Sequence, residues 1–555
     1  MALQGFIIFS LLAPIAIGFC PPTGPVLPPP VIANSFSLNA LKKVVDASLR
    51  SAALPWNAST TSFSVQMTSR EGKFFEYHYT APLRNSSGVQ QVRGSTVYRA
   101  ASVTKVFNVL ALLLAAGDKL DQPVSSYLPE LNASRYGNVT LRMLAGQLSG
   151  TPRWGNAFDL YTTMGQQLEG LGFPLPLPSE VPACDTTTDT PVCTRAEFFD
   201  WLNEGQNPLV WQPGDKAAYS NLANILLGYA LENITTADFN NLLHSTILDP
   251  LGLITTGLAP PNASDAIIPA ETGWSWYHMD IGTFRATAGL YSTPDELTTF
   301  LRSVLNHELL SPGQTRLWLK PSVFLSSLHG AIGMPWEIFR LTHLTPQPRS
   351  VDIYTKSGSL PGYAAYVALL PEYDVGMTVN TAGDDSSETA AKWLLDTSVE
   401  ALIPALEELA RTQARIRYAG RYESATNDGT SNSSMSLVLD IDDGPGLRVM
   451  EWTKGGKSVL DAIAAIVGIN DDATILDVRA YPVGEDNRWR LVFETRRQNE
   501  EGRRSMFDLA CETWFQVDNY RYAGLPIDEL LFVVADDGVV EGVRSLGLRG
   551  EARKL

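Results

Sequence analysis

Apolar side chains recur along this chain with different periods, and each period predicts a different element. Residues 62–67 and 74–79 alternate apolar with polar on either side of Glu71-Gly72, which predicts a β-hairpin. Residues 106–116 are apolar at every position but Asn108 and stop at Gly117-Asp118. A helix that is apolar on every face is a buried one, and glycine is a usual terminator. Ser102 stands at the head of that helix and Lys105 one turn later, so both project from one face.

Further helices are expected over 38–51, within 139–150 with Thr140 as cap, and over 222–231, 238–247 and 388–413. Another starts at Pro294 behind Ser292 or Thr293. Strands are expected over 353–359, 364–370 and 376–380. Strands first, helices in the middle and strands at the end describe an α+β domain, here bounded at 38–413. From about Tyr418 short alternating strands (436–441, 447–452, 489–495, 530–535) surround one apolar helix at 458–467. That texture marks a separate β-rich C-terminal domain, 414–555, and 555 residues do exceed one ordinary core. Residues 155–195 form an irregular insertion rich in Pro and Thr, read equally as a lid or as an ornament.

Composition narrows the function classes. An apolar content of 45% with 18% charged residues describes a folded chain. Its 42 basic and 59 acidic side chains leave a formal charge of −17, which excludes nucleic acid as an expected partner. Residues 1–19 are apolar and uncharged and lead into Cys20-Pro21-Pro22, the pattern of a signal peptide, with a retained membrane anchor as the alternative. A Pro-rich linker, extended and poorly ordered, is expected over 20–37. Seven glycosylation sequons, at Asn57, Asn85, Asn132, Asn138, Asn233, Asn262 and Asn432, suit a secreted, extracellular protein. Of four cysteines, Cys184 and Cys193 bracket a short polar loop and are candidates for a disulfide. Cys20 is open to loss or to a terminal position, and Cys511 reads as a buried free thiol. No Cys/His spacing suggests a metal site, and no cofactor is implied.

The chemistry-bearing residues fall in three short motifs, each with a plain alternative. Ser102-Val103-Thr104-Lys105 places a hydroxyl beside an amine at a helix N-terminus, an activated nucleophile or simply a cap with a lysine reaching water. Tyr219-Ser220-Asn221 offers a phenol and an amide, or a packed tyrosine with Asn221 capping the next helix. Lys356-Ser357-Gly358-Ser359 offers a cation and a glycine that allows close backbone approach, or a surface turn. Gly-x-Ser-x-Gly is absent, and Gly455-Gly456-Lys457-Ser458 lacks the leading glycine of a P-loop because Glu451 stands there.

In that order the three motifs resemble the Ser-x-x-Lys, Tyr-x-Asn and Lys-Thr-Gly set of the serine β-lactamase and penicillin-binding-protein superfamily, closest to its class C and carboxylesterase-like branch. Residues 139–150, 213–228, Asp249-Pro250-Leu251-Gly252 and Ala288-Gly289-Leu290-Tyr291-Ser292 are similar to further segments of that superfamily, over roughly 40–410. The resemblance implies an antiparallel sheet flanked by helices, with a helical subdomain. It also implies acylation of Ser102, with Lys105 and Tyr219 handling the proton, and Asn221 holding Lys105 and a substrate amide. The backbone N–H groups of Ser102 and Ser359 would form the oxyanion hole, beside Ser357 and Gly358. Esterases of this family often carry histidine where Lys356 stands, so lysine leans towards lactamase-like chemistry and a substrate carboxylate. No glutamate in the loop region is assignable as a deacylation base. The expectation is a secreted serine hydrolase for a small acyl substrate, with no stable membrane association, and a fungal source. An acyltransferase of secondary metabolism, a peptidase acting on D-residues and a non-catalytic binding protein stay open.

Overall fold

The structure, a computed structural model, describes all residues except 1–18, 34–35, 52–53, 156–158, 166, 179, 182–183, 185–192, 205–206, 271–274, 425–433, 470–473, 485–486, 498–510 and 512. The chain divides into two compact units. One holds residues 32–340 and 352–402; the other joins the described parts of 1–31 to 341–351 and 403–555.

The first unit is built on an eight-stranded sheet. Its order is Lys73–Tyr79, Ser62–Thr68, Val375–Ala382, Tyr363–Leu370, Val351–Leu360, Glu337–Leu341, Gly330–Ile332 and Val323–Phe324. The hairpin forms as the alternation requires, with Val65 opposite Tyr77, and Val65 pairs on its other side with Val379. Strand Ser62–Thr68 is nevertheless buried at every position. Its polar members survive burial by pairing: Ser64 meets Tyr98 Oη at 3.1 Å, and Gln66 donates to Asp295 at 2.9 Å. Helix Pro294–Leu305, with Thr293 as its cap and proline at its start, packs on strands Ser62–Thr68 and Val375–Ala382. Strands 323–341 carry too little alternation to announce themselves, and their placement beside Val351–Leu360 is a finding of the structure.

The apolar run becomes helix Thr104–Ala116, entered through a tight turn at Ala101–Val103. It packs against helices Asn221–Thr235 and Arg285–Ala288 in one large core. Phe107 and Phe300 stack within it, ring centroids 4.2 Å apart, both fully buried. Thr140 caps Leu141–Ala145 as expected. Asn221 does not cap its helix: Ser220 does, accepting from the Ala223 N–H, and Asn221 is the first helical residue. The inserted segment is not wholly irregular, since Leu160–Met164, Gln167–Gly170 and Arg195–Asn203 are helical.

The second unit closes on itself. Strands Met435–Asp440, Gly420–Glu423, Gly550–Lys554, Val540–Ser545, Glu529–Val534, Arg488–Arg497, Thr474–Pro482 and Leu447–Lys454 follow in order, and the last pairs back to the first. Closure gives each of these strands a partner on both sides. Tyr418, Tyr422, Trp489 and Phe532 cluster inside it. Two cysteine readings are settled here. Cys184 and Cys193 are joined as expected, with the loop between them outside the described residues. Cys511 is neither free nor buried: it is exposed and joined to Cys20. The expected loose linker is also corrected, because Val26 and Leu27 are 2% and 4% exposed and belong to the second unit's core.

The Phe107–Phe300 stack lies at full burial, so truncating it removes packing that the unit cannot recover by collapse. Phe107→Ala is expected to lower stability by about 3–5 kcal/mol. Chemical denaturation of the purified protein checks this.

Candidate active site

The turn before the long helix holds its first hydroxyl in an unusual frame. Ala101 adopts φ +48°, a left-handed conformation that a side chain disfavours. Thr104 fixes the turn from below: its hydroxyl donates to the Ala101 carbonyl at 2.6 Å and accepts from the Leu290 N–H at 3.0 Å. Ser102 is thereby left partly accessible at the base of a cleft of about 620 Å³ that Tyr219, Asn221, Glu337, Ser357 and Ser359 also line.

Lys105 and Tyr219 converge on Ser102. The Lys105 ammonium donates to Ser102 Oγ at 2.8 Å and to the Thr287 carbonyl at 2.9 Å. Tyr219 Oη donates to the same Ser102 Oγ at 2.9 Å. Lys105 is fully buried and has no carboxylate within hydrogen-bonding distance among the described residues. Burial therefore disfavours its charged form, and its pKa is pushed down to about 8 despite the attraction of Tyr219. Burial acts on Tyr219 in the opposite sense, yet Lys105 and Lys356 outweigh it and bring the phenol down to about 8. The side chains of Lys105, Lys356 and Arg153 lie 5.1, 5.3 and 5.0 Å from the Tyr219 ring centroid.

Asn221 reaches Lys105 only through an intermediary. Its Oδ1 accepts from the Thr287 hydroxyl at 3.2 Å, and the Thr287 carbonyl holds Lys105. Its Nδ2 is buried in the wall of the cleft without a hydrogen-bond partner among the described residues. Thr287 lies just before the recognised Ala288-Gly289 segment, but no spacing in the sequence assigns it a task.

Lys356 is held differently from Lys105. It is 1% exposed and donates to Glu337 Oε1 at 2.6 Å and to its neighbour's carbonyl, Ser357, at 2.7 Å. Glu337 accepts twice more, from the Ser357 N–H at 2.9 Å and the Ser357 hydroxyl at 2.9 Å. Burial alone would lower the Lys356 pKa; the Glu337 charge reverses this and raises it. Glu337, in Met334-Pro335-Trp336-Glu337, was invisible to motif reading because only strand pairing brings it to Lys356. Ser359 donates to Glu388 at 2.9 Å. Gly358 explains the glycine of its motif: a Cβ there would stand 2.3 Å from the Ala100 carbonyl oxygen and 2.9 Å from the Ser102 nitrogen. Ser102, Lys105, Tyr219, Asn221, Lys356, Ser357, Gly358 and Ser359 are thus one neighbourhood, although they span more than 250 residues of sequence.

Comparison with known proteins gives the family. The family described as Beta-lactamase matches residues 67–400. The chain belongs to the β-lactamase family. A second match, described as Beta-lactamase-like-like, C-terminal domain, covers residues 410–554. A Beta-lactamase-like protein of Arthroderma benhamiae is 31% identical over 97% of this chain and 96% of its own. A Probable hydrolase M10 of a Phoma species is 28% identical over 85% of this chain and 81% of its own. The D-alanyl-D-alanine-carboxypeptidase/endopeptidase AmpH of Escherichia coli is 26% identical over 51% of this chain and 70% of its own. The β-lactamase/transpeptidase fold, with a β-rich C-terminal domain appended, is therefore the architecture of this family member.

A methyl group at position 358 must push against the Ala100 carbonyl oxygen and the Ser102 nitrogen. Gly358→Ala is expected to lower the rate of covalent labelling at Ser102 by at least about a hundredfold, as misplacement by about 1 Å does. Circular dichroism with labelling kinetics separates this from a folding defect.

Proposed function

We propose that this family member is a secreted serine hydrolase that cleaves an ester or amide through an acyl-Ser102 intermediate. The observation carrying this reading is the convergence of Lys105 Nζ and Tyr219 Oη on Ser102 Oγ, at 2.8 and 2.9 Å. In the reactive form, one of those two groups is deprotonated and accepts the serine proton as Oγ bonds to the carbonyl carbon. The backbone N–H groups of Ser102 and Ser359 face the developing oxyanion. The proton then passes to the leaving alcohol or amine. Water, deprotonated by the same pair, attacks the acyl carbon and restores Ser102. Lys356 keeps a positive charge beside Tyr219 and favours its phenolate; Asn221 Nδ2, unpartnered in the cleft wall, suits a substrate carbonyl.

Secretion is supported by two disulfides and by the sequons. Asn57, Asn132, Asn138, Asn233 and Asn262 are exposed, Asn85 is half-buried, and Asn432 lies outside the described residues, as do residues 1–18 of the signal-like segment 1–19. Hydrolysis is favoured over transfer to another acceptor by the name of the Phoma relative. No nucleic-acid or membrane partner is proposed.

Ser102→Ala is expected to abolish the covalent adduct with activated esters and fluorophosphonates, and to lower turnover more than about a thousandfold. Mass spectrometry of intact and digested protein checks the adduct. Equal activity of wild type and Ser102→Ala would instead mark a non-catalytic member. Because the proton acceptor is the deprotonated form of a group titrating near 8, the acylation rate should rise with pH. Below 8 it should fall about tenfold per pH unit, and above 8 it should level off. A histidine base would level off near 6.5 instead.

A further inference from the structure

We infer that this site selects uncharged esters or amides, and that Glu337 enforces the selection by occupying Lys356 as a built-in counter-ion. The inference rests on the acyl-Ser102 reading and names its substrate class. Lys356 is the cation that a substrate carboxylate would be expected to meet. Its ammonium is buried and already donates to Glu337 Oε1 at 2.6 Å and to the Ser357 carbonyl at 2.7 Å. Both oxygens of Glu337 are engaged, Oε1 by Lys356 and the Ser357 hydroxyl, Oε2 by the Ser357 N–H. Three contacts fix one carboxylate where a mobile one would have to dock. A second carboxylate arriving there meets like charge in a partly dehydrated cleft, where such charges repel strongly.

The rest of the lining points the same way. Glu337, Asp385 and Glu388 all face the cleft, against one lining cation, Arg153. Asp385 is exposed with no ion-pair partner among the described residues, whereas Glu388 is paired with Lys392 at 2.6 Å. Arg153 lies over the rings of Tyr219 and Trp154 at 5.0 and 5.4 Å. The remaining wall includes Trp154, Trp276, Phe284 and Leu360, which suits an apolar acyl or alcohol part.

Two matched probes test this on the full-length protein: an alkyl fluorophosphonate and its chain-matched ω-carboxylate analogue. In each, Ser102 Oγ bonds to phosphorus, fluoride leaves, and the serine proton passes to Lys105 or Tyr219. The second-order labelling rate for the uncharged probe is expected to exceed that for the carboxylate by at least about tenfold. Glu337→Gln should bring the ratio towards one, and Glu337→Asp, which keeps the charge, should retain it. A wild-type ratio of one or less overturns the inference, as does an unchanged ratio in Glu337→Gln. If Glu337→Gln does not fold, the wild-type ratio and Glu337→Asp decide. A preference for the carboxylate probe that disappears in Arg153→Gln would assign anion binding to Arg153 and overturn the inference too. Absence of any Ser102 adduct with either probe overturns the acyl-serine reading itself, a result distinct from all of these.

Discussion

The site depends on one lysine buried with no carboxylate in hydrogen-bonding distance among the described residues. Lys105 has a serine hydroxyl and a backbone carbonyl for partners, neither of which carries a full charge. Two lysines flank the same tyrosine and are almost equally buried, yet their titrations move in opposite directions. Glu337 decides the difference. By pairing with Lys356 it keeps that cation charged, and Lys356 and Lys105 together lower the Tyr219 phenol. Were the carboxylate beside Lys105 instead, Lys105 would stay charged and lose its capacity to accept a proton. Separating one fixed cation from one labile amine, with a tyrosine between them, is how near-neutral proton transfer is obtained here without histidine.

Backbone placement serves the same end. Ser102 depends on Ala101 in a left-handed conformation, on Thr104 bridging the turn to Leu290, and on Gly358 leaving room beside its nitrogen. Strain at Ala101 is tolerated because the turn is held from both directions. Lys105 is aimed from the far side by Thr287, itself tied to Asn221. Beyond the direct Tyr219–Ser102 contact, Thr287 links the Asn221 motif to Lys105, and Glu337 holds Lys356 and Ser357 of the third motif.

What the sequence made legible follows from range. Local apolar patterning and the turns that bound it located the hairpin, the buried helix, the Pro294 helix and the three long strands, although Ser62–Thr68, Tyr363–Leu370 and Val375–Ala382 are buried on both faces. Ordered motifs located Ser102, Lys105, Tyr219 and Lys356, since the family resemblance supplied the long-range geometry that periodicity lacks. Glu337 escaped because its partner lies across a strand pairing, and a lone glutamate beside a tryptophan has no local mark. Of the two roles open to Asn221, capping falls to Ser220, one residue earlier, which has the extended backbone a cap needs. Cys511 was misjudged because disulfide partners are set by fold closure and not by the apolarity of the flanking run.

The second unit does not begin where its barrel begins. Its barrel starts near residue 420, and a cut at 414 looks natural on composition. Its core, however, includes Val26 and Leu27, and Cys20 is joined to Cys511. Segment 341–351 belongs to it as well, and brings Arg349 to Glu407 at 2.9 Å with both side chains only 4% exposed. Removing one partner of so buried a pair leaves an uncompensated charge, typically at a cost of about 3–5 kcal/mol. A chain cut at 414 would lose Glu407, Arg349, the apolar pair and the disulfide partner together. The C-terminal unit is thus defined by pieces from three parts of the sequence, and a contiguous C-terminal fragment is not that unit.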